Sequence, residues 1–69
     1  MDVRRLELLR ELADRGSVTA VAAATHRTPS AVSQQLKQLE REAGIPLTER
    51  SGRGIALTAA GRELARTAT

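Results

Sequence analysis

The chain has 69 residues, with 11 Lys and Arg against 8 Asp and Glu, one His, no Cys and no Phe, Tyr or Trp, for a formal net charge of +3. This length admits one small domain whose core must be built from Leu, Val, Ile and Ala, and a dimer or a larger parent protein would add stability. Without cysteine there is neither a disulfide framework nor a cysteine metal site; with no apolar run near the roughly 18 residues of a membrane span and no secretory signal, the expectation is a cytoplasmic protein.

The first helix is predicted from an Asp2 N-cap to Arg15, with Leu6, Leu9 and Ala13 on one apolar line, Leu8 and Leu12 beside it, and Gly16 as its stop. Ser17 or Thr19 then caps a short helix through VTAVAAATH, whose alanines let another helix pack close. Arg27 and Thr28 make a turn. Thr28 is a natural N-cap and Pro29 suits the first helical position, so a third helix runs to Gly44, with Pro46 shortly after. The segments LTER and IALT, separated by SGRG, alternate apolar and polar residues and read as a β-hairpin. Thr58 caps a last helix, AAGRELARTA, on which Ala60, Leu64 and Ala68 share a side. Its helical pattern continues to the last residue, which suggests a longer parent chain. This order predicts a mainly α fold, a winged helix-turn-helix with a three-helix core and a two-stranded β-wing over residues 1–58. Residues 59–69 would begin a C-terminal linker helix.

The third helix has two faces of opposite character. At about 100° per residue, Val32, Leu36, Leu39 and Ala43 form a narrow apolar stripe. Ser30, Gln34, Lys37 and Arg41 point the other way, with Ser33 on the flank, and Glu40 and Glu42 stand off the center of this polar face. Hydroxyls, amides and cations without acids suit phosphate oxygens and base edges in a DNA groove. Charge along the chain agrees. Residues 1–26 are balanced, 27–39 carry Arg27 and Lys37 with no acid, 40–49 are net acidic, and 50–69 carry Arg50, Arg53, Arg62 and Arg66 against Glu63. Such a distribution is a modest electrostatic footprint for nucleic acid.

The chain resembles the N-terminal DNA-binding domain of LysR-type bacterial transcriptional regulators. The matching residues are Gly16-Ser17-Val18-Thr19, Ala22, Ala31-Val32-Ser33-Gln34-Gln35-Leu36, Leu39-Glu40, Gly44-Ile45-Pro46-Leu47, Glu49-Arg50, Gly52-Arg53-Gly54 and Leu57-Thr58-Ala59-Ala60-Gly61. The resemblance implies that Ser17, Thr19 and the start of the third helix touch phosphates. It also implies that Thr28, Ser30, Ser33 and Gln34 face the major groove, and that Arg53 at the wing tip reaches the minor groove. The last helix would begin a linker helix that makes a homodimer, and a small-molecule effector would be sensed by a C-terminal domain. The family usually carries an aromatic residue late in the first helix and Phe before Glu-Arg, where this chain has Leu9 or Arg10, and Thr48. Thr25 replaces a usual Leu, and Thr28-Pro29-Ser30 replaces Ser-Gln-Pro.

The residues read independently agree on double-stranded DNA as partner. Arg53 between two glycines suits a narrow minor groove, and Arg50 either binds phosphate or pairs near Glu49. The lone His26, without Cys or a carboxylate cluster, supports neither a metal site nor a catalytic pair, and no cofactor is expected. An enzyme would need a nucleophile–base pair, metal cluster or phosphate loop. Binding of RNA or single strands would call for stacking aromatics. The alternative is a winged-helix protein-interaction module, whose sign would be an exposed apolar patch.

Overall fold

The computed structural model describes residues 2–52 and 54–67, in the order α1 (Val3–Arg15), α2 (Val18–Ala24), α3 (Pro29–Ala43), β1 (Thr48–Ser51), β2 (Gly54–Leu57) and α4 (Ala59–Thr67). Helices α1, α2 and α3 pack on one another, β1 and β2 form an antiparallel hairpin, and α4 lies against α1 and β2. This is the expected winged helix-turn-helix. One cluster fills its interior: Leu8, Leu9 and Leu12 of α1, Val21 and Ala22 of α2, Val32, Leu36 and Leu39 of α3, then Leu47, Leu57 and Ala65. All are aliphatic, and no polar or charged residue among those described is buried. Each buried Leu or Val contributes about 1.5–3 kcal/mol relative to exposure.

Each helix start is fixed by a side chain that accepts an otherwise unpaired backbone N–H. The Asp2 carboxylate accepts from Arg4 N–H at 2.9 Å, Ser17 Oγ from Ala20 N–H at 3.0 Å, Thr28 Oγ1 from Ala31 N–H at 3.1 Å and Thr58 Oγ1 from Gly61 N–H at 3.0 Å. Of the two candidate caps for α2, Ser17 does the work and Thr19 lies within the helix, exposed. Gly16 and Gly44 end α1 and α3 at φ of 81° and 75°, the left-handed conformation glycine adopts at least cost.

Four details depart from the sequence expectations. The second helix ends at Ala24 rather than running to His26, because Thr25 closes it: Thr25 Oγ1 donates to the Val21 carbonyl at 2.7 Å. Ala13 is exposed, so the buried line of α1 is Leu8, Leu9 and Leu12. The hairpin is displaced toward its tip, with Thr48 opposite Leu57 and Ser51 opposite Gly54, and Leu47 falls before the strand. On α4 the buried positions are Gly61 and Ala65, while Ala60 and Leu64 are half-buried, and Ala68 lies outside the described residues.

Gly61 explains that rotation of α4. A Cβ at this position would sit 2.1 Å from the Leu47 carbonyl oxygen and 3.0 Å from its carbon. The helix approaches the chain leading into the wing at a distance only a bare backbone allows. Gly61→Ala therefore sets a helix-propensity gain of about 1 kcal/mol against a backbone clash. Overpacking costs typically 1–3 kcal/mol and more where main chain must move, so the clash wins. Urea unfolding should show Gly61→Ala destabilised, and Gly54→Ala, whose nearest atom would be 4.0 Å away, changed far less. The caps make a second prediction. Ser17→Ala should lower stability by about 1 kcal/mol and Thr19→Ala by much less; equal losses in thermal unfolding would contradict the cap assignment.

Candidate nucleic-acid interface

The helix-turn-helix is built by α2, the turn from Thr25 to Thr28, and α3. Within the turn His26 takes φ of 56°, the only positive value among described residues other than glycine. A left-handed residue with a side chain costs roughly 1–2 kcal/mol, though His is among the types found there more often. The hydrogen bond from Arg27 N–H to the Ala22 carbonyl, 2.9 Å, closes the turn and sets the start of α3.

The outward face of α3 is the chemically distinct surface. Thr28, Ser30, Gln34, Lys37 and Arg41 are exposed, and Ser33 is half-buried on the flank. Both acids of this helix are drawn away from that face. Glu42 Oε1 accepts from Arg5 Nη1 of α1 at 3.1 Å, and the same guanidinium donates from Nε to Gln35 Oε1 at 2.8 Å. Glu40 Oε2 accepts from the backbone N–H groups of Leu47 and Thr48, at 2.7 and 3.0 Å, and from Thr48 Oγ1 at 3.3 Å. What remains outward is hydroxyl, amide and cation. Arg41 is steadied along the helix by two donations to Gln38 Oε1, at 3.1 and 2.6 Å. Among the described residues Lys37 makes no ion pair with an acid, and neither do Arg27 and Arg50.

The candidate residues divide by element. Thr28, Ser30, Ser33, Gln34 and Lys37 share α3 or its cap. Ser17 and Thr19 sit at the start of α2, half-buried and exposed respectively. Arg50 is exposed on β1 opposite Ile55, with no partner near Glu49, so of the two readings of this residue the ion pair is not formed. Arg53 lies outside the described residues. The basic tail is less uniform than its sequence implies: Arg62 Nη1 donates to the Leu57 carbonyl at 3.1 Å, and Arg66 pairs with Glu63 on the same helix. The residue that sequence reading missed is Glu40. No local pattern pairs a helical glutamate with amides seven and eight positions downstream; only the folded chain brings them together.

Comparisons with known proteins place this geometry. The family model described as bacterial regulatory helix-turn-helix protein, lysR family, matches residues 3–62. The HTH-type transcriptional regulator CzcR of Bacillus cereus is 41% identical over 64 residues, covering 93% of this chain and 22% of that protein. PunR of Escherichia coli, also an HTH-type transcriptional regulator, is 48% identical over 56 residues, covering 81% of this chain and 18% of the relative. The chain thus spans about a fifth of the length of these relatives. Among solved structures, the crystal structure of the CbnR DNA-binding domain in complex with DNA superposes with a TM-score of 0.90 at 37% identity, covering 99% of this chain and 78% of that one. The complex of the BenM DNA-binding domain with catB site 1 DNA gives 0.88 at 29%, covering 99% and 73%. The chain belongs to the lysR family of bacterial regulatory helix-turn-helix proteins.

Proposed function

We propose that this chain binds double-stranded DNA sequence-specifically, as the DNA-binding domain of a LysR-type transcriptional regulator. The observation that carries the reading is the exposed, acid-free face of α3, from which Glu40 and Glu42 are withdrawn by partners elsewhere in the fold. Its 15 residues make a rod about 22 Å long, and the major groove of B-DNA, about 12 Å wide, admits such a helix. The solved complexes of CbnR and BenM with DNA, made by relatives of the same fold, support the same partner.

In this reading Ser30, Ser33 and Gln34 meet base edges, Gln34 being able to donate and accept together at an adenine, while Lys37 neutralises phosphate. Ser17 and Thr28 use an oxygen lone pair to cap their helices, which leaves each hydroxyl hydrogen free to donate to a phosphate. Capping and DNA contact are therefore compatible, and Thr19 adds a second hydroxyl beside Ser17. Arg50 places a cation on the wing, and this reading assigns Arg53 a contact with the minor groove. Residues 59–69 begin the linker helix of a homodimer whose two copies read half-sites about one helical turn apart, or a multiple of it. In the whole regulator a C-terminal domain senses a small-molecule effector, and the protein works in the bacterial cytoplasm.

The relatives are transcriptional regulators, which points to binding rather than catalysis. No helix among the described residues is long and apolar enough to cross a membrane. A partner-binding module would present a contiguous apolar patch. The large exposed hydrophobics among the described residues are Val3 and Ile45, one at the start of α1 and one beyond the end of α3, so neither lies on its outward face.

Titration of labeled duplex DNA by fluorescence anisotropy should show log affinity falling linearly with log salt. Lys37→Ala is expected to weaken binding to all duplexes alike and to lower that slope by about one unit, whereas Gln34→Ala should cost about 1–3 kcal/mol only on the preferred sequence. Arg53→Ala should lose most at A·T-rich flanks. A folded protein that shows no binding at low salt refutes the reading.

A further inference from the structure

Glu40 sits on the same helix as Gln34 and Lys37, yet its carboxylate is spent on the backbone of another element. One oxygen, Oε2, accepts from Leu47 N–H, Thr48 N–H and Thr48 Oγ1. Leu47 and Thr48 are the entry to the hairpin, since β1 begins at Thr48. A two-stranded hairpin is marginal by itself and takes its direction from what it is tied to. Its other strand leans on α1 and α4, so Glu40 is the described side-chain tie between the wing and the helix that carries the polar face. We infer that Glu40 is a positioning residue for DNA binding, fixing the wing relative to α3 so that both engage one duplex; this rests on the DNA-binding reading above.

The inference separates cleanly from electrostatics because the two have opposite signs. A carboxylate one turn from Lys37 repels phosphate, so by charge alone its removal strengthens binding. As a tie, its removal weakens binding, since the wing no longer meets the backbone in register with the helix. Two substitutions distinguish charge from reach. Glu40→Asp keeps the charge but withdraws the oxygens by about 1.5 Å, one C–C bond, beyond hydrogen-bond distance of amides now at 2.7 and 3.0 Å. Glu40→Gln removes the charge but keeps an acceptor oxygen at the same reach.

The experiment measures affinity and salt slope on one duplex for the wild-type chain, Glu40→Asp and Glu40→Gln, each with and without Arg50→Ala, with folding checked by circular dichroism. Glu40→Asp should bind at least about fivefold more weakly and render Arg50→Ala silent, whereas in wild type and in Glu40→Gln Arg50→Ala should lower the salt slope by about one unit. Hydrogen exchange of the Leu47 and Thr48 amides in free protein should accelerate in Glu40→Asp and change little in Glu40→Gln. Unchanged affinity and a persisting Arg50 effect in Glu40→Asp overturn the inference. So does Glu40→Gln abolishing the Arg50 effect, and that arm decides alone if Glu40→Asp loses its helices. Arg50→Ala without effect in wild type removes the wing from the interface and the positioning role with it. Wild-type protein that binds no DNA overturns the parent reading instead.

Discussion

The backbone of Leu47 is the point on which three elements of this fold depend. Its N–H is received by the Glu40 carboxylate of α3, and its carbonyl accepts Thr58 N–H at 3.0 Å at the start of α4. Gly61 brings α4 against that carbonyl, and the Leu47 side chain is 1% exposed in the common core. One residue earlier, the Pro46 carbonyl accepts the Thr58 hydroxyl at 2.9 Å. In the four-residue link between the third helix and the wing, Gly44, Ile45 and Pro46 are exposed, but Leu47 is buried in an aliphatic setting, where its N–H and carbonyl would each cost about 1–3 kcal/mol if left unsatisfied. Tying them to α3 and α4 removes that cost and fixes where the wing begins.

The same economy produces the polar face of α3. The helix contains two glutamates, and a DNA-facing surface cannot carry them without repelling phosphate. The fold assigns each a donor on another element, Arg5 for Glu42 and the wing amides for Glu40. The Arg5–Glu42 pair is partly exposed and contributes at most modestly to stability; its larger effect is on where charge stands. A net charge of only +3 can in this way present a locally acid-free surface.

How much of this was legible in the sequence follows from the range of the interactions. Capping is local, so Asp2, Thr28 and Thr58 could be named from residue type and position, and Gly16 and Gly44 marked helix ends by their conformational freedom. The stripe Val32, Leu36, Leu39 followed from periodicity alone. Between Ser17 and Thr19 the sequence offered no choice, because either hydroxyl can cap; the backbone position decided for Ser17. What stayed hidden was tertiary. Ala60 and Leu64 look like the buried side of α4, yet Gly61 and Ala65 occupy it, since the approach of Leu47 favors a residue with no side chain over one with more apolar surface. The partners of Glu40 were invisible for the same reason. Ser30 and Gln34 were legible as exposed polar positions of α3, a matter of helical angle.

The joint at Leu47 has a consequence for how relatives should vary. Glu40 and Gly61 both touch this residue, but they address its N–H and its carbonyl, which every residue except proline supplies alike. Exchanging Leu47 for another aliphatic side chain leaves both contacts in place. Positions 40 and 47, and positions 47 and 61, should therefore show little mutual covariation, although they are in direct contact. Contact inference from paired substitutions would pass over the joint that holds the domain together, and would see it only as unpaired constraint at positions 40 and 61.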